Sequence, residues 1–186
     1  MLTSLPNLLT LSRIAVIPIV VALFFVGGAG AMWLACGVFA LAGITDYFDG
    51  HFARSRRQIS TIGSFLDPIA DKLLVAAVIL LLAAFDHVSG LTVLPAMVIL
   101  CREILVSGLR EYLAGLRVSV PVSTLAKWKT TAQLVAIGFL ILGEAGDMIV
   151  PVVTLTGLIL LWLSALVTLY TGWDYFRAGV RHLTKG

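Results

Sequence analysis

Two uncharged stretches constrain this chain more than anything else in it. No charged residue occurs between Arg13 and Asp46, and the 26 residues from Met148 to Trp173 carry none. A helix needs about 20 apolar residues to cross the hydrocarbon core of a bilayer, so both regions predict membrane-spanning segments. Composition agrees, because 60% of the 186 residues are hydrophobic and only 12% are charged. A mean hydropathy of +1.05 lies outside the usual range of a soluble domain. The N-terminal MLTSLPNLLTLSRI has no Lys/Arg cluster ahead of its apolar part, and GGAG leads straight into another apolar run. That pattern predicts a permanent segment and argues against a cleaved signal peptide.

Glycine and charge clusters divide the chain into six apolar segments, about 6–26, 31–52, 66–85, 90–113, 127–143 and 149–175. The expected architecture is an all-α integral membrane protein with six transmembrane helices in one domain, residues 1–186. An even number of spans puts both termini on one side. Arg54, Arg56, Arg57 and Lys72 flank one connection, Arg110, Arg117, Lys127 and Lys129 another, and Arg177, Arg181 and Lys185 follow the last segment. The alternate loops carry Asp86, His87, Glu144 and Asp147 but no Lys or Arg. The positive-inside rule therefore predicts cytoplasmic termini and cytoplasmic basic loops. A basic face of this kind also attracts anionic headgroups and phosphate-bearing substrates. Topology and phosphate substrates account for the basic residues, so nucleic-acid binding is not expected.

Three inner runs, 73–85, 88–101 and 130–143, are too short to span on their own. They reach full length only by taking in Asp67, Asp71 and Lys72, then Arg102, Glu103 and Arg110, then Lys127 and Lys129. Ionisable groups at membrane depth are costly and normally face a protein interior or a watery cavity, so they point to a functional site. Snorkelling to the interface is the alternative for a long lysine such as Lys72, but not for a short aspartate.

The aspartates come in two pairs. Asp46 and Asp49 are spaced i, i+3 at the end of the second segment, and Asp67 and Asp71 are spaced i, i+4 at the start of the third; each pair shares a helical face. Asp67-Pro68 also has the look of a helix start. Four carboxylates around one short loop repel one another unless cations hold them. Hard oxygen ligands without His or Cys favour Mg²⁺ or Mn²⁺ over zinc, and four of them suit two ions, an arrangement able to stabilise the attacking and leaving oxygens of a phosphoryl displacement. Capping and surface ion pairs with Arg54, Arg56 and Arg57 are the alternative. Gly50, Ala53 and Gly63 allow a ligand or a neighbouring helix to approach closely. Arg54 is placed to clamp a phosphate or to serve as a topogenic charge.

Read together, Asp46-x2-Asp49-Gly50-x2-Ala53-Arg54-x8-Gly63-x3-Asp67-x3-Asp71 resembles the signature of the CDP-alcohol phosphotransferase family, with every fixed position at the family spacing. The resemblance implies that an alcohol attacks the phosphorus next to the lipid of a CDP-linked donor and that CMP leaves. It implies that Asp46, Asp49, Asp67 and Asp71 bind two divalent cations, Mg²⁺ or Mn²⁺, in a polar cavity at the cytoplasmic side. It further implies that Asp71 takes the acceptor's hydroxyl proton and that Gly50, Ala53, Arg54 and Gly63 line the cytidine diphosphate site together with Asp46, Asp49 and Asp67. PNLLTLSR, REILVSGLRE and KWKTTAQ are similar to the bacterial branch of the family that joins CDP-diacylglycerol to glycerol 3-phosphate. That branch implies a multi-pass protein of the bacterial cytoplasmic (inner) membrane and a homodimer among membrane lipids.

A phosphorylated acceptor calls for cations, and Arg102, Arg110, Lys127 and Lys129 are the candidates. Arg102 and Glu103 also have the spacing of an intrahelical ion pair. Thr130 and Gln133, one turn apart, either touch substrate or make interhelical hydrogen bonds. Pro6, Asn7, Thr10 and Arg13 predict an interfacial helix ahead of the first span, or simply the start of that span. Cys36 and Cys101 read as buried thiols. Other acceptors, namely inositol phosphate, serine or phosphatidylglycerol, would use the same aspartates. A cation or phosphate transporter would favour paired, pseudo-symmetric sites near the midplane, and residues 90–186 hold no second aspartate set.

Overall fold

The structure, a computed structural model, describes residues 5–56, 61–115 and 124–183. Six α-helices account for nearly all of them, and no strand occurs among the described residues: α1 Leu5–Val26, α2 Ala29–Arg56, α3 Thr61–Ala84, α4 Val93–Gly115, α5 Thr124–Asp147 and α6 Val153–Leu183. A 3₁₀ turn, Gly90–Thr92, leads into α4. Each predicted segment thus corresponds to one helix. Two expectations at helix starts are corrected. Pro6 and Asn7 sit in the first turn of α1, which continues unbroken past Pro18, so they start that helix, and among the described residues no separate helix precedes it. α3 begins at Thr61, so Asp67 lies in its second turn and is not its cap.

α3 and α5 have 24 residues each and α4 has 23, about 35 Å at the helical rise and so longer than a hydrocarbon core of about 30 Å. They gain that length by running through the charged positions. By length and composition, Gly90–Leu113 and Val153–Trp173 are able to cross a membrane, while Leu11–Val26, Ala29–Thr45 and Lys72–Ala84 are shorter apolar stretches.

Packing closes the helices into a ring. α1 lies against α2 and α3, α2 against α5, α5 against α6, α6 against α4 and α4 against α3, with α3 and α5 also touching across the interior. Phe24, Phe39, Leu82, Ile99, Ile137, Leu140 and Leu161 are buried in one core cluster to which all six helices contribute. Large apolar side chains also cover the outside, among them Phe25, Leu41, Leu80, Ile104 and Leu166. That surface suits lipid contact and would be an aggregation liability in water. α5 and α6 approach closely because Gly157 has no side chain: a Cβ there would lie 2.9 Å from Leu140 Cγ.

The ring has two chemically different ends. At one, Phe24 stacks edge-on against Phe85 and α5 is kinked at Gly143, with φ 47° and ψ −130°. His87 fills the kink, its Nδ1 donating to the Leu140 carbonyl oxygen at 2.7 Å. Asp147 then accepts a hydrogen bond from the Thr154 amide in the first turn of α6 at 3.1 Å. Thr154, through its side chain and then its backbone N–H, holds the Asp147 carboxyl below the usual carboxylate range. A Cβ on Gly143 would stand 2.8 Å from His87 Nδ1. Gly143→Ala is therefore expected to cost about 1–3 kcal/mol in backbone strain and to push His87 off the Leu140 carbonyl. Heating the purified protein in detergent and following loss of the monodisperse species checks this; an unchanged midpoint would mean that the kink straightens.

Candidate active site

The opposite end gathers the charged chemistry. α2 stops at Arg56 and α3 starts at Thr61, and a connection that short spans at most about 18 Å, so the end of α2 and the beginning of α3 lie together. Asp46, Asp49, Gly50, Ala53 and Arg54 fall on the last turns of α2, and Gly63, Asp67 and Asp71 on the first turns of α3. The unbroken helical backbone at both places puts each aspartate pair on one face of its helix, as the spacing predicts. The side chains of these residues lie outside the described ones. So does that of Lys127.

Carboxylates without an accompanying His or Cys form a hard oxygen donor set, and that set fits Mg²⁺ or Mn²⁺. Among the described residues no group of three or more His, Cys, Asp and Glu side chains is arranged to hold a metal. The aspartate motif is thus the donor set to which a metal reading attaches.

Beside it, α4, α5 and α6 are joined by a buried ionic cluster. Glu103 pairs with Arg102 through Nη1 at 3.2 Å and with the Lys129 ammonium. Arg102 Nη2 also donates to the Thr171 hydroxyl at 3.0 Å, which in turn donates to the Val167 carbonyl. The stem of Arg102 crosses α6 at Gly172, where a Cβ would stand 3.0 Å from Arg102 Cγ. Lys129 is only 4% exposed, deep for a lysine, and a buried cation persists only when paired. The predicted intrahelical pair of Arg102 and Glu103 is therefore present, but it belongs to a larger arrangement that ties three helices together. Arg110, two turns beyond Arg102 on α4, is exposed. Arg13, expected at an interface, is buried at 3% exposure.

A cavity of about 280 Å³ opens between α3, α4 and α5. Its polar lining is Lys72, Glu103, Ser107, Glu111, Thr130 and Gln133, set among apolar side chains that include Leu73 and Leu100. The wall from α3 uses Ile69, Lys72, Leu73, Val75 and Ala76, a helical face turned largely away from the one that Asp67 and Asp71 share. The structure thus brings Lys72, Glu103, Thr130 and Gln133 around one space between α3, α4 and α5, and pairs Glu103 with both Arg102 and Lys129. Sequence reasoning named Glu103 as a charge at membrane depth and a partner of Arg102 but missed Thr171 and Gly172 altogether. Their link to Arg102 spans 69 positions and leaves no local signal.

The chain matches known proteins over nearly its whole length. A family model described as CDP-alcohol phosphatidyltransferase matches residues 3–170. The chain is 48% identical over 175 residues to a CDP-diacylglycerol–glycerol-3-phosphate 3-phosphatidyltransferase of Rickettsia bellii, covering 94% of each protein. It is 36% identical to the protein of the same name from Cereibacter sphaeroides, with 97% of each covered, and 40% identical to that from Salmonella choleraesuis, with 94% of each covered. A match that takes in all six helices as far as Tyr170, together with the aspartate signature at the junction of α2 and α3, places this chain in the CDP-alcohol phosphatidyltransferase family.

Proposed function

We infer that this protein transfers the phosphatidyl group of CDP-diacylglycerol to glycerol 3-phosphate, giving phosphatidylglycerophosphate and CMP in phospholipid biosynthesis. The observation that carries the reading is the complete eight-residue signature on the facing ends of α2 and α3 in a chain alike over nearly its whole length to relatives of that name. An acceptor hydroxyl oxygen forms a bond to the lipid-side phosphorus as the bond from that phosphorus to the CMP oxygen breaks.

Members of the family generally depend on a divalent cation. In this reading Asp46, Asp49, Asp67 and Asp71 hold two such ions, Mg²⁺ or Mn²⁺. When bound, they neutralise charge on the diphosphate and on the departing CMP. Asp71 also takes the proton of the attacking hydroxyl, a role that a carboxylate within hydrogen-bond reach fills well. Gly50, Ala53 and Gly63 leave room for the cytidine diphosphate, and Arg54 pairs with its phosphates. Arg102, Arg110, Lys127 and Lys129 hold the acceptor's phosphate. The grouping of Arg102 and Lys129 around Glu103 supports this assignment. Residues 1–186 act as one domain with six spans in the bacterial inner membrane, termini and site facing the cytoplasm, and assemble as a homodimer through closely packing small residues.

Purified protein in detergent is expected to release CMP from CDP-diacylglycerol when given glycerol 3-phosphate and Mg²⁺ or Mn²⁺, and to stop when EDTA is added. Offering myo-inositol 3-phosphate, serine and phosphatidylglycerol in parallel tests the acceptor. Release with one of these instead would keep the aspartate chemistry and discard the assigned acceptor; metal flux in vesicles without CMP release would favour a transporter.

A further inference from the structure

Arg13 is 3% exposed on α1, a depth at which a guanidinium persists only with an anionic partner. α1 packs against α2 and α3. The acidic residues that those two helices carry are Asp46 and Asp49 on α2 and Asp67 and Asp71 on α3. Among the described side chains, Glu103 is engaged with Arg102 and Lys129 between α4, α5 and α6. Asp86, Glu144 and Asp147 lie at the far end of the ring, around the Gly143 kink.

Helical periodicity turns the same residues toward one another. Arg13 shares a face of α1 with Val20 and Phe24, Asp46 a face of α2 with Ala35, Phe39 and Ala42, and Asp71 a face of α3 with Leu74, Val78 and Leu82. The apolar members of all three faces are buried in the one core. The heights agree as well. Phe24 meets Phe85 with ring centroids 5.5 Å apart, and eleven residues from each toward the motif are Arg13 and Leu74. Fourteen residues from the turn at Gly27 and Gly28 are Arg13 and Ala42. A helical side chain leans toward the N-terminus of its helix, which for α1 is the motif end. The Arg13 guanidinium therefore reaches about one turn beyond Leu74 and Ala42, to the level of Asp71 and Asp46, the deeper aspartate of each pair.

Resting on the reading that the four aspartates hold divalent ions, we propose that Arg13 is the internal counter-ion of the motif. From the apolar core it balances the deeper carboxylates and keeps the two pairs together when metal is absent. It is a positioning residue, since it acts through Asp46 and Asp71. Its charge opposes that of the ions, so the coupling between them has a definite sign: removing the guanidinium strengthens metal binding and makes the folded protein depend more on metal.

The first readout is Mn²⁺ binding to the purified, nucleotide-free protein in detergent, followed by loss of the free ion's electron paramagnetic resonance signal. Arg13→Met, which keeps an unbranched side chain but not the charge, is expected to bind Mn²⁺ roughly 5- to 100-fold more tightly than wild type, and Arg13→Lys to bind it as wild type does. The second readout is the thermal midpoint in EDTA and in saturating Mg²⁺. The rise caused by Mg²⁺ is expected to be larger in Arg13→Met than in wild type, whereas loss of a residue that only fills space lowers both midpoints alike. Arg13→Gln takes the place of the methionine variant should that one fold poorly. Mn²⁺ binding that is unchanged or weaker, or an equal loss in both midpoints, would overturn the counter-ion and leave the metal reading standing. Wild-type protein that binds no Mn²⁺ would instead overturn the metal reading, and the counter-ion with it.

Discussion

Replacing Asp71 by asparagine is expected to lower CMP release by roughly a hundred- to ten-thousand-fold, the usual contribution of a positioned general base. Asparagine keeps the size and one carbonyl oxygen but removes the negative charge and the basic site. Donor binding is the measurement that separates two roles for this residue. If Asp71 acts chiefly as a base, CDP-diacylglycerol still binds in the presence of Mg²⁺, because Asp46, Asp49 and Asp67 remain. If it acts chiefly as a metal ligand, binding falls together with turnover. Near-wild-type turnover in Asp71→Asn would remove it from both roles. Asp71 sits in the third turn of α3, one turn from Asp67 on the same helical face.

Much of this arrangement was legible in the sequence, for a physical reason. In a membrane protein the solvent imposes a strong length and polarity rule on every span, so hydropathy and charge breaks delimit helices sharply. All six segments correspond to helices, and the aspartates fall at the helix ends where the charge breaks put them. The error at Asp67 is informative. Asp-Pro is a common helix opening, but Ile62, Phe65, Leu66 and Ile69 keep a helical period across it. That period carries α3 back to Thr61 and outweighs one amide lost at Pro68. What the sequence did not reveal depends on contacts between distant positions. His87 reaches the Leu140 carbonyl across 53 residues, and Lys129 reaches Glu103 across 26. The kink at Gly143 has no local signature, since a glycine in a membrane helix usually marks close packing.

Truncating Glu103 is expected to be the most destabilising change in the buried ionic cluster. Glu103→Ala takes the carboxylate from both Arg102 and Lys129 in a place where Lys129 is 4% exposed. Removing one partner of a buried ion pair costs about 3–5 kcal/mol, and the 22% exposure of the Glu103 side chain argues for the lower end of that range. Lys129→Met should cost less, because Glu103 then still has Arg102 at 3.2 Å and a methionine fills the vacated space. Combining Glu103→Leu with Lys129→Met should restore part of the loss, since neither an unpaired ammonium nor an unpaired carboxylate is left at that contact. Midpoints of thermal unfolding in detergent for the two single variants and the double variant make the comparison, and raising the salt concentration should change them little because the pair is shielded from solvent. Additive losses, or a Lys129 variant as damaged as the Glu103 one, would mean that the carboxylate is not what holds these cations in the bundle. The predicted order instead makes Glu103 the residue that holds Arg102 and Lys129 together between α4, α5 and α6.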